Sequence, residues 1–144
     1  MSISERVDQI VSDFDQCESW EDRYKKLIQM GKQLPDLPDE KKIEDFRVKG
    51  CVSQVWLHAR MDDHHRIIFE ADSDAMIVKG LVAVLLQIYS GSKPEEVLAT
   101  PPDFVQKLGF QQNLSPSRAN GLASMIKQIN YYATAYQALL SRTI

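Results

Sequence analysis

The sequence predicts an α+β fold: a small antiparallel sheet of about three strands packed against helices. Three observations predict it. Apolar residues recur at helical spacing near the N-terminus, two strictly alternating segments follow near the middle, and a run of about fifteen almost uniformly apolar residues comes directly after them. At 144 residues the chain is expected to form one domain over residues 1–144, long enough to bury a core without metal or disulfide support.

Ile3, Val7, Ile10, Val11 and Phe14 form the first helical stripe, with acids and Arg6 between them. Ser19 before Trp20-Glu21-Asp22 is an N-cap followed by first-turn acids, and Tyr24, Leu27, Ile28 and Met30 carry a second helix toward Gly31. Cys17 falls in the joint, where a packed thiol is expected. Pro35 and Pro38 end the helical pattern and begin an exposed loop.

Val55, Leu57 and Ala59 alternate with Trp56, His58 and Arg60, and Ile67, Phe69 and Ala71 repeat the alternation after Met-Asp-Asp-His-His-Arg. An antiparallel hairpin follows, with residues 45–49 as a third strand and Gly50-Cys51 in the connection at the sheet's end. Ser73 is placed to cap the next helix, which runs from Ala75 to Tyr89 as the central buried element. Asp72 and Asp74 flank its start, where carboxylates oppose the helix dipole. Gly80 is expected to let this helix lie close against the sheet, at a propensity cost of about 1 kcal/mol.

Pro94-Glu95-Glu96 opens a short helix, and a second short helix is expected from about Pro102 to Leu108. Ser115 and Pro116 then start a long C-terminal helix carrying Leu122, Met125, Ile126, Ile129 and Tyr132. Its N-terminus offers free amides and partial positive charge to an anion.

Composition narrows the function. A formal net charge of −3 gives no basic footprint for nucleic acid, and 44% apolar with 26% charged residues is ordinary globular usage. Charges interrupt the N-terminus where a secretion signal needs an apolar segment, and no apolar run reaches membrane-spanning length, so a cytoplasmic protein is expected. The two cysteines show no Cys-x-x-Cys or zinc-ligand spacing. Neither a metal nor another cofactor is expected, His64 and His65 falling in a polar turn. Gly-rich phosphate loops and Gly-x-Ser-x-Gly elbows are missing from the sequence.

Local sequence leaves Cys51 two meanings. It is a small buried hydrophobe, or a thiol presented on a turn by Gly50. Its neighbours Val52, Val55 and Trp56 are apolar, which points to a sheltered sulfur.

Four separated blocks then carry a resemblance. Trp20-Glu21-Asp22-Arg23-Tyr24 with Gly-Lys-Gln-Leu-Pro at 31–35, Gly50-Cys51 with Ser53-Gln54-Val55-Trp56, Asp72-Ser73-Asp74-Ala75 with Ile77-Val78-Lys79-Gly80-Leu81, and Leu114-Ser115-Pro116-Ser117-Arg118 with Asn120-Gly121-Leu122 together resemble the SufE family of sulfur acceptor proteins, CsdE proteins included. The resemblance covers nearly the whole chain and implies an α+β fold like that of the IscU scaffold, without that scaffold's metal-binding cysteines. It implies that Cys51 is the acceptor. The cysteine would take sulfur from the persulfide of a pyridoxal-phosphate-dependent cysteine desulfurase of the SufS or CsdA type. The carrier would stimulate that enzyme and pass sulfur to an iron–sulfur assembly scaffold or another acceptor, without being an enzyme itself. Lys49 is expected to raise the thiolate fraction and Arg118 to stabilise negative charge, while Asp74 belongs to the helix start beside the cysteine loop or to a partner contact. The alternatives from other classes are a noncatalytic interaction module in which Cys51 merely packs, and a thiol enzyme, which would need a general base beside the sulfur.

Overall fold

The computed structural model describes residues 1–142. Helix α1 (Ile3–Asp15) starts at a capping box: the Ser2 hydroxyl accepts from the Glu5 amide at 3.1 Å, and the Ser2 amide donates to the Glu5 carboxylate at 3.3 Å. Its inner stripe is Ile3, Val7, Ile10 and Phe14. Helix α2 (Trp20–Lys32) is capped by Ser19, which accepts from the Asp22 amide at 3.1 Å. Residues 36–48 then cross the molecule as an irregular strap containing two 3-10 turns, Asp39–Lys41 and Glu44–Phe46.

The sheet has two strands rather than about three. Strands β1 (Val55–Met61) and β2 (Ile67–Ser73) pair antiparallel, with Val55 opposite Ser73 and Met61 opposite Ile67. The expected third strand at 45–49 shrinks to one bridge between Arg47 and Trp56 and a bond from the Val48 amide to the Val55 carbonyl at 2.8 Å. The reason lies farther along the edge. The Leu57 carbonyl accepts from Tyr132 Oη at 2.7 Å and Gln128 Nε2 at 3.2 Å, and the Ala59 carbonyl accepts from Tyr136 Oη at 3.1 Å. Side chains of the C-terminal helix therefore occupy the acceptors a third strand would use. On the opposite edge the Ile67 amide donates to the Ser92 carbonyl and the Phe69 amide to Ser90 Oγ, so neither flank is an open template.

Helix α3 (Met76–Tyr89) is the core, with Leu81, Ile88 and Tyr89 fully buried. Ser73 does not cap it. The cap position is Ala75, and Ser73 Oγ instead donates to the Gln54 carbonyl at 2.8 Å. Gly80 meets α2 rather than the sheet: a Cβ there would press into the Leu27 carbonyl and lie 2.9 Å from the Leu27 Cα. A Cβ on Gly31 would in turn lie 2.9 Å from the Gly80 nitrogen. The helices cross backbone on backbone.

Short helices α4 (Pro94–Leu98), α5 (Phe104–Lys107) and α6 (Phe110–Asn113) follow. The stretch expected to be helical from Pro102 to Leu108 is thus shorter, and α6 is an additional turn that begins after Gly109 in a left-handed conformation (φ 74°). Helix α7 (Pro116–Arg142) closes the fold, burying Gly121, Leu122, Met125, Ile126, Ile129 and Ala133 against the core. Among the described residues no helix is long and apolar enough to cross a membrane.

Candidate functional site

Residues 49–54 form a loop that is pinned at both feet. At its start, the Arg47–Trp56 bridge and the Val48–Val55 bond tie the strap to β1. At its end, the Gln54 amide donates to Asp74 Oδ1 at 3.1 Å, and the Asp74 amide returns a bond to the Gln54 carbonyl at 3.2 Å. Asp74 therefore fastens the cysteine loop to the end of β2. Asp72, expected only to oppose the dipole of α3, is a two-lysine hub: Lys42 Nζ and Lys79 Nζ each lie 3.1 Å from one of its oxygens.

Between the feet, Gly50 turns the chain with φ 88°, a conformation that side chains other than glycine's strain to adopt. This directs Cys51 toward α7. Its sulfur lies 3.6 Å from the Gly121 carbonyl oxygen, to which the thiol donates. Glycine at 121 makes room for the sulfur, since a Cβ there would sit 3.3 Å from Cys51 Sγ. A Cβ on Gly50 would lie 2.7 Å from Ser124 Oγ, so the loop tip rests on two neighbouring points of α7.

A cavity of about 600 Å³ surrounds the sulfur. Cys51, Val52 and Ser53 form one wall, Met76, Ile77 and Val78 of α3 another, and Ser117, Arg118 and Met125 of α7 a third. Its rim is apolar and open, Val52 being 83% and Met76 58% exposed. Burial pushes the Cys51 thiol above its ordinary range, and the positive charge of Arg47 opposes that shift without cancelling it.

The supporting residues expected from sequence divide. Arg118 lines the cavity, Gly50 turns the loop, and Asp74 holds its far end. Lys49 is not part of the cavity lining. Its ammonium is engaged with Glu44 on the surface, and Arg47, two residues earlier, is a cation whose field reaches Cys51. Of the amides expected at the start of α7, that of Arg118 donates to Ser115 Oγ, and the thiol meets a carbonyl one turn farther on. Sequence reasoning missed Gly121, although a glycine inside a long helix, with its propensity cost of about 1 kcal/mol, was a visible signal of close approach.

Among the described residues no histidine lines the cavity. His58 packs edge-on against Phe46 and contacts Glu70 at 3.3 Å, while His64 and His65 occupy the hairpin turn. Nor, among those residues, is any group of three or more His, Cys, Asp or Glu side chains arranged to hold a metal. Cys17 and Cys51 are both free thiols.

A lone cysteine seated on a short loop, with a cavity behind it and an α+β frame around it, defines a small thiol protein without a histidine base at the sulfur. The chain belongs to the SufE family: residues 8–133 match the family's model, described as an Fe-S metabolism associated domain. An uncharacterized SufE-like protein of Rhizobium etli is 47% identical over 127 residues, covering 85% of this chain and 86% of that protein. SufE-like protein 1 of Arabidopsis thaliana, designated chloroplastic/mitochondrial, is 42% identical over 122 residues, covering 85% of this chain and 33% of the plant protein. In fold the chain is similar to the solution structure of a hypothetical protein from Thermus thermophilus, with a TM-score of 0.77 at 22% identity over 92% of this chain and 96% of that one.

Proposed function

We propose that this chain accepts sulfur from a pyridoxal-phosphate-dependent cysteine desulfurase onto Cys51, stimulates that enzyme, and delivers the sulfur to iron–sulfur cluster assembly. The observation that carries this reading is the placement of Cys51: its sulfur sits at the tip of a loop fixed at both feet, beside an open cavity of about 600 Å³. The step is an exchange at sulfur. The Cys51 thiol gives up its proton to an acceptor on the docked donor protein, and its thiolate attacks the outer sulfur of the donor's persulfide. The new sulfur–sulfur bond forms as the donor's own breaks, the donor cysteine leaves as a thiolate, and no external oxidant is consumed. A general base supplied by this chain is not part of this chemistry. Arg118, on the cavity wall, supplies positive charge to the anionic sulfur species of the transfer. The exposed Val52 and Met76 supply apolar surface for the donor protein. The cytoplasm is the proposed compartment, and two free thiols suit a reducing one.

The rival reading is an interaction module whose Cys51 only packs. Incubation with a cysteine desulfurase and free cysteine, followed by intact mass measurement, decides between them. Wild type and Cys17→Ser are expected to gain the mass of one sulfur atom. Cys51→Ser is expected to gain none while keeping fold and partner binding, because a hydroxyl of similar size cannot hold sulfane sulfur. Sulfur loading of Cys51→Ser equal to wild type sinks the acceptor assignment.

A further inference from the structure

We propose that Gly121 is a positioning residue whose backbone carbonyl seats Cys51 only as the protonated thiol, so that ionisation of the sulfur and release of the loop tip are one event. The proposal deepens the acceptor reading of Cys51 and rests on it for its functional meaning.

The seat is built from two contacts one helical turn apart. Gly121 leaves the space that Cys51 Sγ occupies, and Gly50 leaves the space beside Ser124 Oγ. At the first contact the sulfur is a donor, 3.6 Å from the Gly121 oxygen. A thiolate has no proton to donate, and at that point it would face the negative end of a carbonyl dipole. The hydrogen bond favours the neutral form, and burial favours it too. Charged groups around the sulfur are few. Arg118 lines the same cavity from α7 and Arg47 acts on the sulfur from the strap, while among the described residues α3 and α2 contribute apolar side chains to the lining (Met76, Ile77, Val78 and Ile28). On the loop itself Lys49 is held by Glu44, and at the loop's foot Asp74 is turned to the Gln54 amide. Arg47 does not reverse the preference: burial leaves the thiol harder to ionise than a free one.

Linkage sets the direction. A group whose pKa is raised in the closed state stabilises that state fully below the open-state value, and the stabilisation is lost as pH rises through the closed-state value. The loop therefore stays seated at neutral pH and loosens above the ordinary thiol range of about 8.5. Near neutrality, a partner that withdraws the proton produces the nucleophile and frees the loop together. The feet at residues 48 and 54 keep the excursion local.

Carbon-13 and nitrogen-15 labelled full-length protein is titrated by NMR from about pH 6.5 to about pH 10, spanning the free-thiol value of about 8.5. In wild type the Gly121 carbonyl carbon and the amides of Val52 and Ser53 are expected to shift together, with one midpoint above that of a cysteine peptide. In Cys51→Ser, whose hydroxyl donates the same bond but does not ionise, they are expected to stay still. The proposal is overturned if these signals are silent while the Cys51 thiol ionises, or if they move equally in the serine variant. Gly121→Ala, by pushing the sulfur off the carbonyl, is expected to speed iodoacetamide labelling near neutral pH about tenfold and to lower the midpoint toward the free-thiol value. Unchanged labelling in a folded Gly121→Ala protein also overturns it, and if that variant does not fold the comparison with serine still decides. Neither measurement uses a desulfurase. Protein that takes up sulfur without the coupled shift refutes the seat alone, and protein that shows the shift without sulfur uptake refutes the acceptor reading alone.

Discussion

Two pairs of glycines bring parts of this molecule unusually close, and they do opposite things. Where α2 crosses α3, Gly31 and Gly80 let backbone meet backbone, with the Leu27 carbonyl against the space where a Gly80 Cβ would be and Leu27 itself fully buried. Where the cysteine loop meets α7, Gly50 and Gly121 admit one hydroxyl and one sulfur, beside an open cavity. A missing Cβ is the device in both. The outcome depends on what fills the vacancy: two packed helices have nowhere to go, whereas the cysteine loop is bonded at its feet and only lightly seated at its tip.

The largest expected effect breaks the first pair. Gly80→Ala drives a methyl into the Leu27 carbonyl, and overpacking of this kind is expected to lower stability by about 3 kcal/mol, well beyond the helix-propensity gain of about 1 kcal/mol. A urea midpoint shifted far below that of wild type is the result expected. Sulfur loading of the fraction still folded should be normal, since the crossing lies outside the cavity lining apart from Ile28. A stability loss smaller than that of Gly121→Ala would invert the comparison, making the loop seat the tighter joint.

Much of the frame was legible because its signals are local. The period-two alternation of Val55–Leu57–Ala59 and Ile67–Phe69–Ala71 gave the hairpin, and Ser19 and the Ser115-Pro116 pair marked helix starts that the structure keeps. What failed was nonlocal. Residues 45–49 look as strand-like as their neighbours, yet Tyr132, Tyr136 and Gln128, more than seventy residues away, take the carbonyls a third strand needs. Gly80 was legible as a close-approach residue but not its partner, because nothing in the local pattern says which surface lies opposite. The site divides the same way. Gly50-Cys51 stands out in the sequence, and Arg118 does reach the Cys51 cavity. Lys49 was the nearest cation in sequence, but Glu44 had a prior claim on it, and the strap brings Arg47 into range instead.

The second effect concerns the hub behind the loop's far foot, which joins strap, β2 and α3. Burial raises the Asp72 carboxyl, but bonds from Lys79 and Lys42 and from the Ser73 amide outweigh it and leave it below the usual aspartate range. Its folded value is depressed, so its contribution is present above the unfolded aspartate value of about 4 and is lost as pH falls through the lower folded value. Asp72→Asn should therefore lower Tm by several degrees at neutral pH, and the gap from wild type should close in acid. Thermal melts of both proteins across that range check the sign. A gap that persists undiminished below the folded carboxyl's range would mean that Asp72 acts by shape rather than charge. The contrast with the seat is direct, because acid loosens this hub while base loosens the tip.

The smallest expected effect separates Arg47 on the strap from Lys49 on the loop. Arg47 lowers the Cys51 thiol's pKa against the upward push of burial, so Arg47→Gln should raise the labelling midpoint by a fraction of a pH unit and slow iodoacetamide labelling modestly near neutrality. Its backbone bridge to Trp56 survives the substitution, so the near foot stays in place. Lys49→Gln should do less, yet it is not inert by construction. Glu44 is shared: it holds Lys49 and also lies 3.8 Å from Arg47, so a Glu44 released from Lys49 binds Arg47 more closely and damps its field at the sulfur. The double substitution Lys49→Gln with Glu44→Gln removes that side effect and should label as wild type or slightly faster. If the double variant instead slows labelling as much as Arg47→Gln does, the positive charge that matters to Cys51 is the one on Lys49, and the loop's nearest cation in sequence is also its nearest in effect.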